Sequence, residues 1–385
     1  MYKKCKIYTI FTLVVIYFAV FALTGVNLQA FASGEDLTSA RGMCVMETSS
    51  GRVLYSKNLH EKMPMASTTK IITAISVLSK IDDIDTKTVI PKQAIKIPGT
   101  SIYLEDGESL TVRELLYGLM LRSGNDAAVA LAIVTFGSEQ EFLDYTNEFV
   151  KTLGAFNTKL ENPHGLDKSG HFTTPYDLAL ITSYALKNKT FAEIVKTKEK
   201  VISKDFDKDG NKRLLKNKNK LLSSYPYADG VKTGYTGKAG RSFVGSATKD
   251  GMQVVSVVLN CRPMFEESEQ LLNRAFSEYK LVKVLDRAER GVLNLEGTRD
   301  AKTISTINHN EYYYPLKEDE VQDVSISTKF DKMKIKPNDS RFSVGLIEVK
   351  LGKDLIFSDK IYTIKEVNEN NIMDNVKEVI EKFIL

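Results

Sequence analysis

The reading turns on Met65-Ala66-Ser67-Thr68-Thr69-Lys70-Ile71-Ile72-Thr73-Ala74-Ile75-Ser76-Val77-Leu78. Ile71, Ile72, Ala74, Ile75, Val77 and Leu78 recur at the spacing of a helix with buried faces. Pro64 and Ser67 stand where helices start. Residues three apart share a helix face, so Lys70 stacks one turn above Ser67. The positive end of the helix dipole lies beneath both.

A serine hydroxyl becomes a good nucleophile when a neighbouring base takes its proton. Lysine serves as that base only when neutral, and burial or a second cation nearby favours the neutral form. The pattern alone is common, and Ser277-Glu278-Tyr279-Lys280 is a second copy. The rest of the chain must therefore supply the partners.

Upstream, Met43 and Val45 with Val53-Leu54-Tyr55 flank the turn Ser49-Ser50-Gly51 and predict a hairpin over Gly42 to Tyr55. Downstream, Thr111-Val112-Arg113-Glu114 is a capping box that opens a helix through Met120. That helix stops at Ser123-Gly124-Asn125, and Asp126 begins another. The spacing puts Ser123 and Asn125 in an inter-helix loop, where they either cap the next helix or point into a cleft. Ser56-Lys57-Asn58 repeats the pattern elsewhere. A further helix covers Glu141 to Leu153, and Thr174-Pro175-Tyr176-Asp177 starts another. In the loop between them His164 reads as a packing residue, because nothing nearby pairs with it as a catalytic triad requires.

Residues 211–220 carry Lys212, Arg213, Lys216, Lys218 and Lys220 and read as a solvated basic loop. Two strands follow, Arg241 to Ala247 and Gln253 to Leu259, the second a buried central one. Ahead of them Val231 to Tyr235 alternates and reads as an edge strand beside the cleft. It offers the Lys232 charge, the Thr233 hydroxyl and, at Gly234, room for a ligand against the backbone.

At 385 residues the chain has room for two or more domains. Apolar residues at 43% and charged residues at 26% are ordinary for a globular protein. A net charge of +4 and the lack of a basic stripe with aromatics give no case for a nucleic-acid partner, and none is expected. Lys3, Lys4 and Lys6, an apolar run from Ile7 to Leu23, and Ala30-Phe31-Ala32 predict a signal peptide over residues 1–32; retained, the run is an N-terminal anchor. Either way the remainder is exported. Beyond the leader only Cys44 and Cys261 remain, which make no disulfide framework and read as buried thiols, with a single bridge between them the alternative. The four histidines show no metal-ligand spacing, so neither metal nor cofactor is expected.

Three patterns now stand in order: Ser67-x-x-Lys70, Ser123-x-Asn125 and Lys232-Thr233-Gly234. Together they form the signature of penicillin-binding proteins and related β-lactamases. With the stretches around Ser67, His164-Gly165-Leu166-Asp167 and Asp229 to Thr236, the chain resembles a low-molecular-weight penicillin-binding protein of the serine D-alanyl-D-alanine carboxypeptidase family. The resemblance covers about residues 36 to 366.

The resemblance implies an α+β fold: a transpeptidase/β-lactamase-like domain (33–280), with an antiparallel sheet and a helical subdomain, then a small β-sandwich (281–366). It assigns Ser67 as the acylated nucleophile, Lys70 as its base and Ser123 as a proton relay. Asn125 would hold the substrate amide or Lys70. Lys232 and Thr233 would meet the substrate carboxylate, and Gly234 would let substrate lie against the strand. The N–H groups of Ser67 and Tyr235 would form the oxyanion hole. Arg262 is the nearest candidate for the arginine that helps hold the carboxylate. Peptidoglycan stem peptides would be substrates and β-lactams covalent inhibitors, at the outer face of the cytoplasmic membrane or in secreted form. Ile372, Met373, Val376, Val379, Ile380, Phe383 and Ile384 share one face of an amphipathic helix within 367–385, which the resemblance places on the membrane surface and which alternatively docks on the β domain, since its charges present no basic face to anionic lipid. Two other readings share the patterns: a β-lactamase, which needs a placed carboxylate for deacylation, and a non-catalytic peptidoglycan-binding or β-lactam-sensing protein.

Overall fold

The computed structural model describes residues 38–203, 212–294, 303–330 and 343–363. The leader expected over 1–32 and the amphipathic helix expected over 367–385 lie outside the described residues.

Strand β1 (Gly42–Glu47) pairs antiparallel with β2 (Val53–Lys57), as the hairpin reading requires. Glu47 holds the turn, accepting from the backbone N–H groups of Ser49 at 2.9 Å and Ser50 at 2.8 Å. A 3-10 turn over Ala66–Thr68 leads into α1 (Thr69–Leu78). Ser67 therefore lies in the turn and not in the α-helix. Because a 3-10 turn eclipses side chains three apart, Ser67 and Lys70 still face each other.

Short strands β3 (Lys87–Val89) and β4 (Ser109–Thr111) pair ahead of α2 (Val112–Leu121). Thr111 and Glu114 form the reciprocal cap read from the sequence. Next come α3 (Asn125–Phe136), α4 (Glu139–Thr152), α5 (Pro175–Leu186) and α6 (Lys189–Lys196). Asn125 is the first residue of α3, not a loop residue. Ser123 turns the corner at φ 63° and Gly124 is extended, so the helix begins one residue earlier than the pattern implies.

The basic run departs further from its reading. Lys212–Lys216 is a strand, β6, paired antiparallel with β5 (Glu199–Ser203). Arg213 explains it. Its guanidinium pairs with the buried carboxylate of Glu108 and donates to the Tyr103 carbonyl at 2.8 Å.

After α7 (Leu221–Ser224) come β7 (Ala228–Thr236), β8 (Gly240–Lys249) and β9 (Met252–Leu259). One antiparallel sheet runs in the order β2-β1-β9-β8-β7. The valine run of β9 lies at its centre, buried on both faces. On one face α8 (Met264–Glu278) packs Leu271, Leu272, Ala275 and Phe276 into a core with Met43, Val45, Phe243 and Val254. Met46 points the other way and meets Ser183 of α5. Strand β7 is the edge strand, and the 3-10 turn of Ser67 lies against it.

Beyond α8 come β10 (Lys280–Leu285), β11 (Glu289–Asn294), β12 (Thr303–Asn308), β13 (Tyr312–Leu316), β14 (Val324–Phe330), β15 (Ser343–Leu351) and β16 (Asp354–Thr363). They form a β10-β13 pair and a sheet ordered β11-β12-β16-β15-β14. Val284, Leu285, Tyr314 and Leu316 from the pair share a core with Val344, Ile347, Val349 and Ile361, which makes a small sandwich. Arg52 ties this module to the first hairpin. Its guanidinium lies 5.2 Å from the ring centroid of Tyr279 and 5.1 Å from that of Tyr314, and it donates to Glu320 at 2.9 Å.

Candidate active site

The close approach of β7 to the 3-10 turn is possible because residue 234 is glycine. A Cβ there would stand 3.1 Å from the Ser67 nitrogen and 3.2 Å from that of Thr68, both backbone atoms. Gly165 makes a second such contact, at φ 92°, where a Cβ would run into the Ala66 carbonyl oxygen. The serine turn is thus held between the edge strand and the loop of His164. Ala66, at φ 48°, and Ser123, at φ 63°, occupy the left-handed region that L-residues seldom adopt. Such backbone strain collects at functional sites.

Lys70 is fully buried. Its Nζ lies 3.1 Å from Ser67 Oγ, 2.7 Å from Asn125 Oδ1 and 2.6 Å from the His164 carbonyl oxygen. Burial holds its pKa well below the ordinary lysine value, and the charges of Lys232 and Lys218 push the same way against Asp126. Lys232 is also buried; desolvation, then Lys218, brings its pKa down to about 7. Its ammonium donates to the Thr233 carbonyl at 3.0 Å.

The loop ahead of β4 holds Asn125 in place. Asn125 Nδ2 donates to the Pro98 carbonyl at 2.6 Å, and its backbone N–H to the Thr100 carbonyl at 2.7 Å. The buried Asp126 carboxylate gathers the same loop, accepting from the N–H groups of Ile102 at 3.0 Å and Leu104 at 3.1 Å.

His164 contributes its carbonyl, while burial lowers its imidazole pKa to about 3. His171 ties the same loop to α1. Its Nδ1 accepts from the Glu161 N–H at 3.0 Å, so in the neutral ring Nε2 carries the proton and donates to Thr69 Oγ1 at 2.8 Å. Thr69 in turn donates to the Ala66 carbonyl at 2.7 Å.

These elements enclose a cavity of about 400 Å³. Ser67, Ser123, Thr233, Gly234 and Tyr235 all line it, with Lys70, Asn125 and Lys232 buried behind them. Arg262 does not line it, although it lines an adjoining cavity; Arg241, opposite Tyr235 on β8, is the arginine in this wall. Thr100, Lys218 and Arg241 belong to the wall and were not singled out by the sequence patterns. No repeat or spacing marks Lys218 within the basic run.

A serine facing a buried amine, with a charged edge strand closing the cleft over an antiparallel sheet, defines the class of penicillin-binding serine acyl-enzymes. The chain belongs to the D-alanyl-D-alanine carboxypeptidase family of S11 peptidases, whose model matches residues 29–262. It is 38% identical over 248 residues to the D-alanyl-D-alanine carboxypeptidase DacF of Bacillus subtilis, over 63% of this chain. That stretch is 63% of the relative's own length, a little under two thirds. With DacA of Escherichia coli it shares 27% identity over 370 residues, 92% of this chain and 90% of the relative. Among solved structures, penicillin binding protein 5 from Haemophilus influenzae superposes with a TM-score of 0.72 at 25% identity, over 86% of this chain and 98% of that one.

Proposed function

We propose that this protein is a serine D-alanyl-D-alanine carboxypeptidase that removes the terminal D-Ala from peptidoglycan stem pentapeptides. The observation that carries the reading is the buried Lys70 amine, 3.1 Å from Ser67 Oγ and bonded to two fixed carbonyl oxygens.

Neutral Lys70 takes the Ser67 proton as Oγ attacks the carbonyl carbon of the scissile amide. The oxyanion meets the N–H groups of Ser67 and Tyr235, donors worth about 3 kcal/mol each in such sites. Lys232, Thr233 and Arg241 hold the carboxylate of the leaving D-Ala. Ser123 passes the proton to its nitrogen, the C–N bond breaks, and an ester on Ser67 remains for water to hydrolyse. β-Lactams enter by the same attack. Among the described residues lining the cavity none is acidic. That favours a slowly hydrolysed β-lactam adduct over β-lactamase action, and the presence of both Ser67 and Lys70 favours an enzyme over a sensor.

The leader at 1–32 supports export, to the outer face of the cytoplasmic membrane or beyond, and the apolar face within 367–385 supports contact with the membrane surface. The reading takes residues 33–280 as the catalytic domain and 281–366 as the β module.

Mass spectrometry of the purified protein with penicillin and with a D-Ala-D-Ala peptide tests the reading. Penicillin should leave a long-lived adduct on the Ser67 peptide, the peptide should lose one D-Ala, and Ser67→Ala should abolish both. An adduct on Ser277, or one retained in Ser67→Ala, overturns it.

A further inference from the structure

Lys220, Arg241, Met264 and Phe265 line both the catalytic cavity and a second cavity of about 540 Å³, so the two form one groove. The outer part adds Arg262 and Glu266. Its charged lining is three cations, Lys220, Arg241 and Arg262, against one carboxylate. The start of α8 lies in the same wall, where the carboxylates of Glu266 and Glu267 in its first turn offset the positive end of the helix, so the three cations carry the balance. The outer cavity therefore favours an anion.

Direction decides which anion. On the reading of Ser67 as the acylated nucleophile, the leaving D-Ala carboxylate is drawn toward Lys232, Thr233 and Arg241. Arg241 is shared between the two cavities, so the outer one continues past that carboxylate on the leaving-group side. A pentapeptide ending in D-Ala has no atoms to place there. A D-amino acid with an acidic side chain does.

We propose that the outer cavity is a subsite for an acyl acceptor: a D-amino acid amine bearing a second carboxylate on its side chain. The inference rests on the Ser67 reading. In the transfer step the amine nitrogen attacks the ester carbon of the acyl-enzyme. The new C–N bond forms and the ester C–O bond to Ser67 Oγ breaks. Lys70 accepts the proton leaving the nitrogen, and Ser67 Oγ takes one back, so the enzyme is regenerated and an amide is released.

The test is the partition of the acyl-enzyme between water and an added amine. The purified protein, a D-Ala-D-Ala donor peptide and either D-glutamate or D-glutamine as acceptor are sufficient, since the two acceptors differ in the side-chain charge. The transfer-to-hydrolysis ratio should be at least tenfold higher with D-glutamate. Arg262→Gln should bring the D-glutamate ratio down at least threefold toward that of D-glutamine, Lys220 and Arg241 keeping part of the preference. The ratio is read on acyl-enzyme already formed, so slower acylation does not move it. Penicillin adduct formation is measured alongside: its absence removes the Ser67 reading and the subsite with it. Adduct formation with equal ratios for the two acceptors, no transfer to either, or a preference undiminished by Arg262→Gln overturns the subsite alone.

Discussion

Asn125 Oδ1 lies 2.7 Å from Lys70 Nζ, closer than Ser67 Oγ at 3.1 Å. The donation from Asn125 Nδ2 to Pro98 fixes which way the amide faces. A neutral amine has two hydrogens and one lone pair. Asn125 Oδ1 and the His164 carbonyl can only accept, so they take the two hydrogens. The lone pair is left for the third neighbour, the Ser67 hydroxyl. Two fixed acceptors thereby aim the base.

Asn125→Asp should spoil that aim. A carboxylate at this position stabilises the Lys70 ammonium, so the base regains its proton. Penicillin acylation at neutral pH should fall by about 10²–10⁴-fold, the range expected for loss of a general base, with its acid limb moved to higher pH. Stopped-flow acylation across pH reads both; an unchanged rate and limb would show that the amide oxygen does not aim the base.

Lys232 titrates with the opposite consequence. It must be charged to hold a carboxylate, and its pKa of about 7 means that the empty site loses that charge as pH rises through 7. The kcat/KM for D-Ala-D-Ala peptides should therefore decline above about pH 7. A bound carboxylate favours the charged form, so kcat should hold to higher pH. Lys232→Ala removes a cation that keeps Lys70 neutral, so the acid limb of penicillin acylation should move upward. A slower variant with an unmoved acid limb would leave Lys232 as a carboxylate anchor only.

His171 makes stability depend on pH. In the fold its pKa is lowered to about 4, chiefly by burial, against an ordinary 6.5. Between those values the unfolded chain binds a proton that the native protein does not. The neutral ring's contribution is full above pH 6.5 and is lost as pH falls through 4. Over that window the loss is of the order of 3 kcal/mol. Denaturant melts from pH 7 to 4 should show the decline, and His171→Gln should make it shallower by that amount, the buried His164 imidazole supplying the slope that remains. An equal slope in the variant assigns the effect to other groups.

The chemistry was more legible in the sequence than its supports. Ser67, Lys70, Ser123 and the Lys232–Tyr235 edge strand sit in patterns of fixed spacing, because each pattern lies on one local element. Thr111 and Glu114 were legible for the same reason. Lys218 was not: its place near Lys70 and Lys232 comes from tertiary folding across the cleft. The strand at Lys212–Lys216 was missed because Glu108, the partner of Arg213, lies 105 residues away. Nearness to the central strand points to Arg262 but does not say which arginine lines the cavity, and Arg241 is the one in its wall. The sequence reads Asn125 as a loop residue because the left-handed turn at Ser123 has no sequence mark when the residue is not glycine.

Arg52 also bears on where the protein can be divided. Its guanidinium lies against one ring from α8's end, Tyr279, and one from the β module, Tyr314, and it is neutralised by Glu320 of that module. A gene truncated after Tyr279 would encode every side chain placed in the catalytic cavity. Its product would nonetheless lose the Glu320 partner of Arg52 and bare an aromatic surface beside the first hairpin, whose β1 pairs directly with the central strand β9. Activity lost on shortening the gene would therefore not by itself place chemistry in the part removed.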